Sequence, residues 1–202
     1  MKKIFIALMT LMPIVASAQD NTWERAPQTQ SDGNPDQKYL AGAVPLINGH
    51  VIFETTIEAQ GKSAGQIYDI MLKELQNIAK EDGQFEQSRV TLEDKDNFRL
   101  VANYQEWLVF KSTALVLDRT RLMYHIMVEC SDGNATVKMM RISYLYDEER
   151  DPQTFVAEEW ITDKYGLTKK QNKLSRVSGK FRKKTIDRKD YLFKRFTSAL
   201  NN

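Results

Sequence analysis

The chain has 202 residues, of which 42% are hydrophobic, and this is enough for one domain with a real core or for two very small ones. The single cysteine excludes an internal disulfide, and two histidines are few for metal binding or for acid–base chemistry near neutral pH. The net charge of +2 conceals an acidic and a basic pole, which lie in different parts of the chain.

Residues 1–18 have the features of a secretory signal peptide. Two lysines precede an apolar run, and Ala16-Ser17-Ala18 supplies the small residues that a signal peptidase accepts. The run is shorter than the roughly 20 apolar residues that span a bilayer, which argues against a membrane anchor. We therefore expect cleavage before Gln19, export to the periplasm or the outer membrane, and no transmembrane span in the mature chain.

A polar stretch follows the cleavage site. Residues 19–38 contain only Trp23 as a large apolar group, so we expect a flexible leader that cannot bury enough surface to become ordered. An α+β domain is predicted over residues 39–166, and residues 167–202 are predicted to hold a basic connection and a C-terminal helix. The first strand of the domain is expected at residues 50–59.

The first helix is predicted to begin after Ser63. Ser63 and Gln66 have the spacing of a capping box, in which the side chain of each residue accepts a hydrogen bond from the backbone N–H of the other. Apolar residues then recur at helical spacing as far as Glu81, and Gly83 ends the helix. The repeating apolar residues are Ile67, Met71, Leu75 and Ile78.

Four strands are predicted within residues 86–146, and the last three are long. Apolar and polar residues alternate over residues 120–130, which is the pattern of a strand with one buried face. Asp132-Gly133 then predicts a tight hairpin turn into a strand that ends at Tyr146. The apolar phase of this last strand changes near Met139, which predicts a β-bulge there.

Two helices are predicted after the sheet. The first covers residues 155–165 and is ended by Gly166. A basic connection over residues 169–184 has few large apolar groups, and the last helix is expected to be capped by Thr185 or Asp187. The apolar face of this last helix consists of Leu192, Phe196 and Leu200.

The sheet is predicted to have two unlike faces. One face should present Met123, His125 and Met127, and flexible thioethers beside an imidazole ring make an adaptable contact surface. Either the C-terminal segment or a partner is expected to cover this face. The other face should form one core with the helices, made of Trp107, Phe110, Leu122, Tyr124, Ile126, Val128 and Ile142 together with Ile67, Met71, Leu75 and Trp160.

Four segments of the sequence carry a resemblance to a known family: residues 39–45, 117–121, 157–164 and 178–187. Through them the chain resembles exported domain-of-unknown-function proteins of Bacteroidetes that have a TBP-like fold. The resemblance implies an α+β fold in the order β-α-β-β-β-β-α, with helices packed on one face of an antiparallel sheet, plus a C-terminal helix. It also implies an envelope or periplasmic setting, and it implies no reaction.

No catalytic, cofactor-binding or metal-binding residues are predicted. His50 and His125 lie in different strands without a local partner pattern, which gives no support to metal or triad chemistry. Glu159 and Asp163 fall on one turn of the predicted helix, but closely spaced carboxylates on a short helix are solvated far more often than they are catalytic.

The basic pole provides a second candidate contact. Residues 164–195 hold thirteen basic and two acidic residues, whereas residues 4–163 hold 14 basic and 25 acidic ones. We expect a salt-dependent attraction between an anionic envelope component and Lys180, Arg182, Lys183 and Lys184. In the alternative, the basic segment pairs with carboxylates of its own domain, such as Asp147, Glu148, Glu158 or Glu159.

Two functions remain open from the sequence. The leading hypothesis is an exported, non-enzymatic protein that binds or scaffolds an envelope component or another envelope protein. The alternative is a hydrolase-like enzyme whose site assembles around His125 and carboxylates from distant positions. Nucleic-acid binding is not expected. A TBP-like fold does not by itself imply DNA binding, because function does not follow from a fold. An exported protein also has no access to genes.

Overall fold

The computed structural model describes Trp23 and residues 36–202. The expected signal peptide, residues 1–18, lies outside the described residues, and so does most of the expected leader, residues 19–38. Among the helices of the described residues, none is long and apolar enough to cross a membrane.

Strands dominate the described chain; one helix follows the third strand, and three helices follow the eighth. The strands are β1 (Leu46–Ile47), β2 (His50–Val51), β3 (Phe53–Glu58), β4 (Arg89–Asp94), β5 (Arg99–Ser112), β6 (Leu117–Ser131), β7 (Asn134–Tyr146) and β8 (Gln153–Val156). The helices are α1 (Ala64–Ile78), α2 (Ala157–Trp160), α3 (Asp163–Gly166) and α4 (Gly179–Asn201), and a 3-10 turn covers Gln37–Tyr39.

Six of the strands form one antiparallel sheet in the order β3-β7-β6-β5-β4, with β8 also paired to β7. β1 and β2 form a separate two-stranded ribbon. Long hairpins join β5 to β6 and β6 to β7, so sequential strands are neighbours at the centre of the sheet. The predicted α+β class, with its antiparallel sheet and C-terminal helix, is confirmed.

A β-bulge interrupts β7 and divides its outer edge. Opposite Tyr124 of β6 stand two residues of β7, Arg141 and Ile142, and Arg141 has a positive φ of 53°. The bulge predicted near Met139 therefore lies two residues further along. β3 pairs with β7 before the bulge, and β8 pairs with β7 after it.

The capping box of α1 is confirmed. Ser63 Oγ accepts a hydrogen bond from the Gln66 backbone N–H at 3.3 Å, and the Ser63 N–H donates to Gln66 Oε1 at 2.9 Å. Asp132 Oδ1, in the β6–β7 turn, accepts from the Ala64 N–H at 2.8 Å. The helix ends at Ile78, three residues before the predicted end.

One core fills the space between the sheet and the helices α1 and α4. It contains Leu122, Tyr124, Ile126, Val128 and Ile142 together with Ile67, Met71 and Leu75, as predicted, while Phe110 and Trp160 pack at its margin. Trp107 does not belong to the buried core, because Glu106 and Leu108 take the inward positions of β5 and turn Trp107 to the other face. The prediction for Trp107 is wrong.

The C-terminal region differs most from the prediction. Phe155 and Val156 belong to β8, and the helix predicted at residues 155–165 is two short helices, α2 and α3. The last helix begins at Gly179, six residues before Thr185, so the last six residues of the predicted basic connection are helical. Phe181 explains this extension, because its ring is buried against the rings of Phe110, Tyr144, Tyr146, Phe155 and Trp160.

Candidate binding face of the sheet

The sheet presents one covered face and one face that no described element covers. On β6 the residues Leu122, Tyr124, Ile126 and Val128 are buried, whereas the residues between them are half-buried. The same alternation runs through β5 and the first part of β7. Helix α4 packs on the covered face with α1, so within the described residues the C-terminal segment does not cover the opposite side, which we call the open face.

His125 lies at the centre of the open face. Its neighbours directly across the sheet are Asn103 on β5 and Met140 on β7. Met123 and Met127 lie two residues away on either side of it, along the same strand. The structure therefore places Met123, His125 and Met127 together on the face opposite the helices, and it adds Met140, which the sequence analysis did not single out.

A polar group without a hydrogen-bond partner in the described chain lies beside His125 on the open face. The Oδ1 atom of Asn103 is enclosed and has no hydrogen-bond partner among the described residues. Burial lowers the pKa of His125, and the positive charge of Arg141 lowers it further. The imidazole is therefore neutral at pH 7, with one nitrogen able to donate and the other able to accept a hydrogen bond.

Aromatic rings and arginines continue the open face towards the end of β5. The Trp107 ring lies 5.0 Å from the Phe85 ring, the Arg119 guanidinium lies 3.7 Å from the centre of Trp107, and that of Arg121 lies 3.9 Å from the centre of Phe85. Glu148 accepts a hydrogen bond from Arg121 at 2.9 Å. A sequence signal for this position of Trp107 exists. Leu100, Ala102 and Tyr104 take the inward positions of β5, and the same alternation continued to residue 107 turns Trp107 to the open face.

The covered face contains a charged network within its core. Arg188 of α4, which is 0% exposed, donates through Nε to Glu106 Oε1 at 2.8 Å, and Tyr124 donates through its hydroxyl to the same oxygen at 2.6 Å. Burial alone would lower the pKa of Arg188, but the negative charge of Glu106 more than offsets this and raises it. Arg188 therefore remains charged and fixes α4 to β5 and β6.

The four basic residues proposed as an anionic contact are not a set of exposed cations. Arg182 is 0% exposed, and it donates to the backbone carbonyls of Tyr39, Leu40 and Ile161 and to Asp163, each at 2.6–2.7 Å. The prediction is wrong for this residue, because its guanidinium is occupied inside the domain. Arg182 joins the segment at Tyr39 to α3 and α4.

The other residues of the set lie on the same helix and are half-buried. Lys180 contacts Asp118 at 2.6 Å, and Lys183 contacts Asp187 at 3.5 Å and the Tyr39 hydroxyl at 2.5 Å. Lys184 also has a contact within the chain. The domain thus supplies carboxylates to its own basic helix, although they are Asp118, Asp163 and Asp187 rather than those expected.

The carboxylates near α2 and α3 have structural partners. Glu158 Oε1 accepts a hydrogen bond from the Val51 N–H at 2.9 Å, and Asp163 accepts one from the Gly42 N–H at 2.8 Å in addition to its contact with Arg182. Both residues line a groove of about 600 Å³ beside Tyr165. No group of three or more histidines, cysteines or carboxylates that could hold a metal ion occurs among the residues described by the structure.

Comparison with known proteins identifies relatives of this chain. A family described as "Domain of unknown function (DUF4468) with TBP-like fold" matches residues 53–145. A crystal structure of a DUF4468 family protein from Bacteroides ovatus is 38% identical, with a TM-score of 0.78 over 84% of this chain and 97% of that one.

A second solved structure supports the fold alone. It is a TBP-like protein from Parabacteroides distasonis, 19% identical, with a TM-score of 0.62 over 78% of this chain and 96% of that one. No curated protein matches the chain in sequence.

Proposed function

Since the chain belongs to the DUF4468 family and has its TBP-like fold, we propose that it is an exported protein without enzymatic activity that binds a partner protein in the cell envelope. The open face of the sheet is the proposed binding surface. The observation that carries the proposal is the group of three methionines, Met123, Met127 and Met140, around the neutral imidazole of His125.

The composition of this face suits a protein partner. Thioether side chains are flexible and polarisable, so they can adapt to an irregular apolar surface. Val101 lies directly across from Met127, and Gln105 lies across from Met123, which adds an apolar group and an amide to the same area. An apolar patch with a few hydrogen-bonding groups is typical of protein interfaces.

Export rests on residues 1–18, whose charge, apolar run and small residues match a secretory signal. We place the mature protein in the periplasm or in association with the outer membrane.

The alternative function, a hydrolase-like enzyme centred on His125, lacks a geometric basis in the described residues. A catalytic imidazole needs a carboxylate or a nucleophile within hydrogen-bond reach. The cross-strand neighbours of His125 are an amide and a thioether, and the nearest carboxylate on its own strand, Glu129, lies near Lys138. His125 does not line the groove beside Tyr165, nor a second groove of about 470 Å³ that follows β3.

Two measurements test the proposed function. Cell fractionation with mass spectrometry of the N-terminus should find the chain outside the cytoplasm and beginning at Gln19. A photo-crosslinking amino acid at Met127 should then form adducts with an envelope protein, and these should disappear when Met123→Glu is added. The matched control is the same crosslinker at Gln76, an exposed residue of α1. A cytoplasmic chain that retains Met1, or equal adducts from both positions, would contradict the proposal.

A further inference from the structure

The two outer edges of the sheet differ in how well they could accept another strand. β4 forms one edge, and its pairing with β5 is interrupted by a bulge between Val90 and Leu92. β3 and β8 share the other edge along β7, and the six residues of β3 pair with β7 in uninterrupted register. β3 contains no proline or lysine, two residues that commonly protect an edge strand from pairing, and it has no bulge.

The backbone of β3 has unpaired groups along its outer side. The Ala59 N–H donates to Gly133 in the β6–β7 turn, whereas the Ile52 N–H donates outwards to the Pro45 carbonyl. Because backbone groups alternate in direction along a strand, those of Glu54, Thr56 and Glu58 point away from β7. Hydrogen-bond partners for these outward groups do not occur in the part of the chain that the structure describes.

A groove runs along this same edge. It has a volume of about 470 Å³ and is lined by four consecutive residues of β3, Thr55 to Glu58. Consecutive side chains of a strand point to opposite faces, so a groove that contacts all four must follow the edge itself. Gln60 and Lys62 lie at one end, and Thr197 and Asn201 of α4 supply a wall.

Charge defines the occupant that this edge can accept. Glu54 and Glu58 are exposed on either side of Thr56, and all three side chains lie on the open face. Lys138 is the cation nearest Glu54, at 3.6 Å, and it is shared with Glu129, while Glu58 has no basic partner within the described chain. A strand added to β3 would therefore meet two carboxylates four residues apart.

A second copy of the chain does not fit this edge. Antiparallel pairing of β3 with another β3 about Thr56 would place Glu54 of each copy opposite Glu58 of the other. Like charges directly opposite each other destabilise a strand pair. A partner with basic residues at both positions would replace this repulsion with attraction.

We propose that β3 is a docking edge for an extended segment of another protein, which adds as an antiparallel strand and carries two basic residues four positions apart. The backbone of the segment hydrogen-bonds to Glu54, Thr56 and Glu58, and its basic side chains contact the two carboxylates. The side chains between the two basic residues point either to the open face or into the groove. The added strand would extend the open face at its β3 edge.

Synthetic peptides test this proposal with the full mature chain. The probe is Thr-Lys-Val-Thr-Val-Lys-Thr, with the two lysines replaced by glutamate in one control and the central threonine N-methylated in a second. Titration calorimetry should show binding of the lysine peptide that weakens at least about tenfold in each control, because one loses the charge contacts and the other a backbone hydrogen bond. No binding of the lysine peptide, or equal binding of all three, would overturn the proposal.

Variants of β3 provide the reciprocal test. Glu54→Lys with Glu58→Lys should reverse the preference, so that the glutamate peptide binds more tightly than the lysine peptide. Thr56→Pro should abolish binding of both peptides while keeping the pairing with β7, because the N–H that proline lacks points outwards at this position. An unchanged preference in the charge-reversed variant would overturn the proposal even if Thr56→Pro failed to fold.

A further variant separates this edge from the proposed partner surface at the centre of the sheet. Met123→Gln with Met127→Gln, which adds no charge, should leave the affinity for the lysine peptide unchanged, because these residues lie on β6, two strands away from β3. Loss of peptide binding in this variant would show that the peptide occupies the methionine surface instead, and would overturn the edge proposal.

Discussion

The two faces of the sheet each contain residues that are unusual for their environment. The covered face buries a charged pair, Glu106 and Arg188, and the guanidinium of Arg182 is buried nearby. The open face leaves Met123, Met127 and Met140 half-exposed on three long neighbouring strands. Some charged groups thus fix helix α4 inside the domain, and some apolar groups remain available at the surface.

The comparison shows that residue type alone does not separate structural from binding positions. A buried guanidinium is tolerated because every contact of Arg182 is a carbonyl or a carboxylate at hydrogen-bond distance. Exposing part of a thioether side chain to water costs little free energy, and a partner can cover the exposed part. Two arginines of α4 are therefore buried and structural, whereas two methionines of β6 are partly exposed and available for binding.

The largest expected effect is the loss of one member of the buried pair. Glu106→Ala should reduce the free energy of unfolding by about 3–5 kcal/mol, because it removes the close buried carboxylate and leaves Arg188 only the Glu81 carboxylate, at 3.5 Å. Urea denaturation followed by circular dichroism measures the change. A loss below about 1 kcal/mol, the value typical of exposed pairs, would contradict the structural role assigned to the pair.

A double variant is the control for that measurement. Glu106→Leu with Arg188→Met removes both charges and should recover much of the lost stability, because well-packed apolar residues often replace a buried ion pair without penalty. A double variant no more stable than Glu106→Ala would indicate that packing, rather than the unpaired charge, dominates at this site.

Adjacent residues of β6 give the next comparison. Ile126→Ala should cost about 2–5 kcal/mol of unfolding free energy, because Ile126 is 0% exposed and its truncation leaves a cavity. Met127→Ala should cost less than about 1 kcal/mol, because its side chain lies on the open face. Thermal unfolding of the two single variants is sufficient, and equal losses would contradict the assignment of the faces.

The rate of thiol labelling is expected to distinguish the same two faces. Burial raises the pKa of the Cys130 thiol from its ordinary value of 9.0 to about 11, so at pH 8 the thiolate fraction should fall about a hundredfold. A thiol introduced by Met127→Cys should react with iodoacetamide at close to the rate of a free thiol. Mass spectrometry of the labelled protein gives both rates, and rapid labelling of Cys130 in the native protein would contradict its burial.

Much of the fold follows from local patterns in the sequence. Alternation over residues 120–130 predicts the buried face of β6, and Ser63 with Gln66 predicts the start of α1, because both depend on neighbouring residues only. The start of α4 could not be predicted in this way. Residues 179–184 have a single large apolar group, Phe181, and they are helical because distant aromatic rings surround it.

The candidate site was predictable in part. The phase of β6 places Met123, His125 and Met127 on one face, but Met140 joins them only because β7 lies beside β6 in the observed register. The role of Arg182 was not predictable, since its partners include carbonyls of Tyr39 and Leu40, more than 140 positions away. Long-range backbone contacts of this kind leave no local pattern in a sequence.

Methionine oxidation tests the central claim, that the open face binds an envelope partner, most directly. In the purified protein, hydrogen peroxide should oxidise Met123, Met127 and Met140 and spare the buried Met139, the immediate neighbour of Met140. A reference methionine introduced by Gln76→Met on the outer side of α1 corrects for peroxide exposure. In intact cells, oxidation of the three open-face methionines should fall relative to this reference. Equal relative oxidation in cells and in the purified protein would contradict the claim.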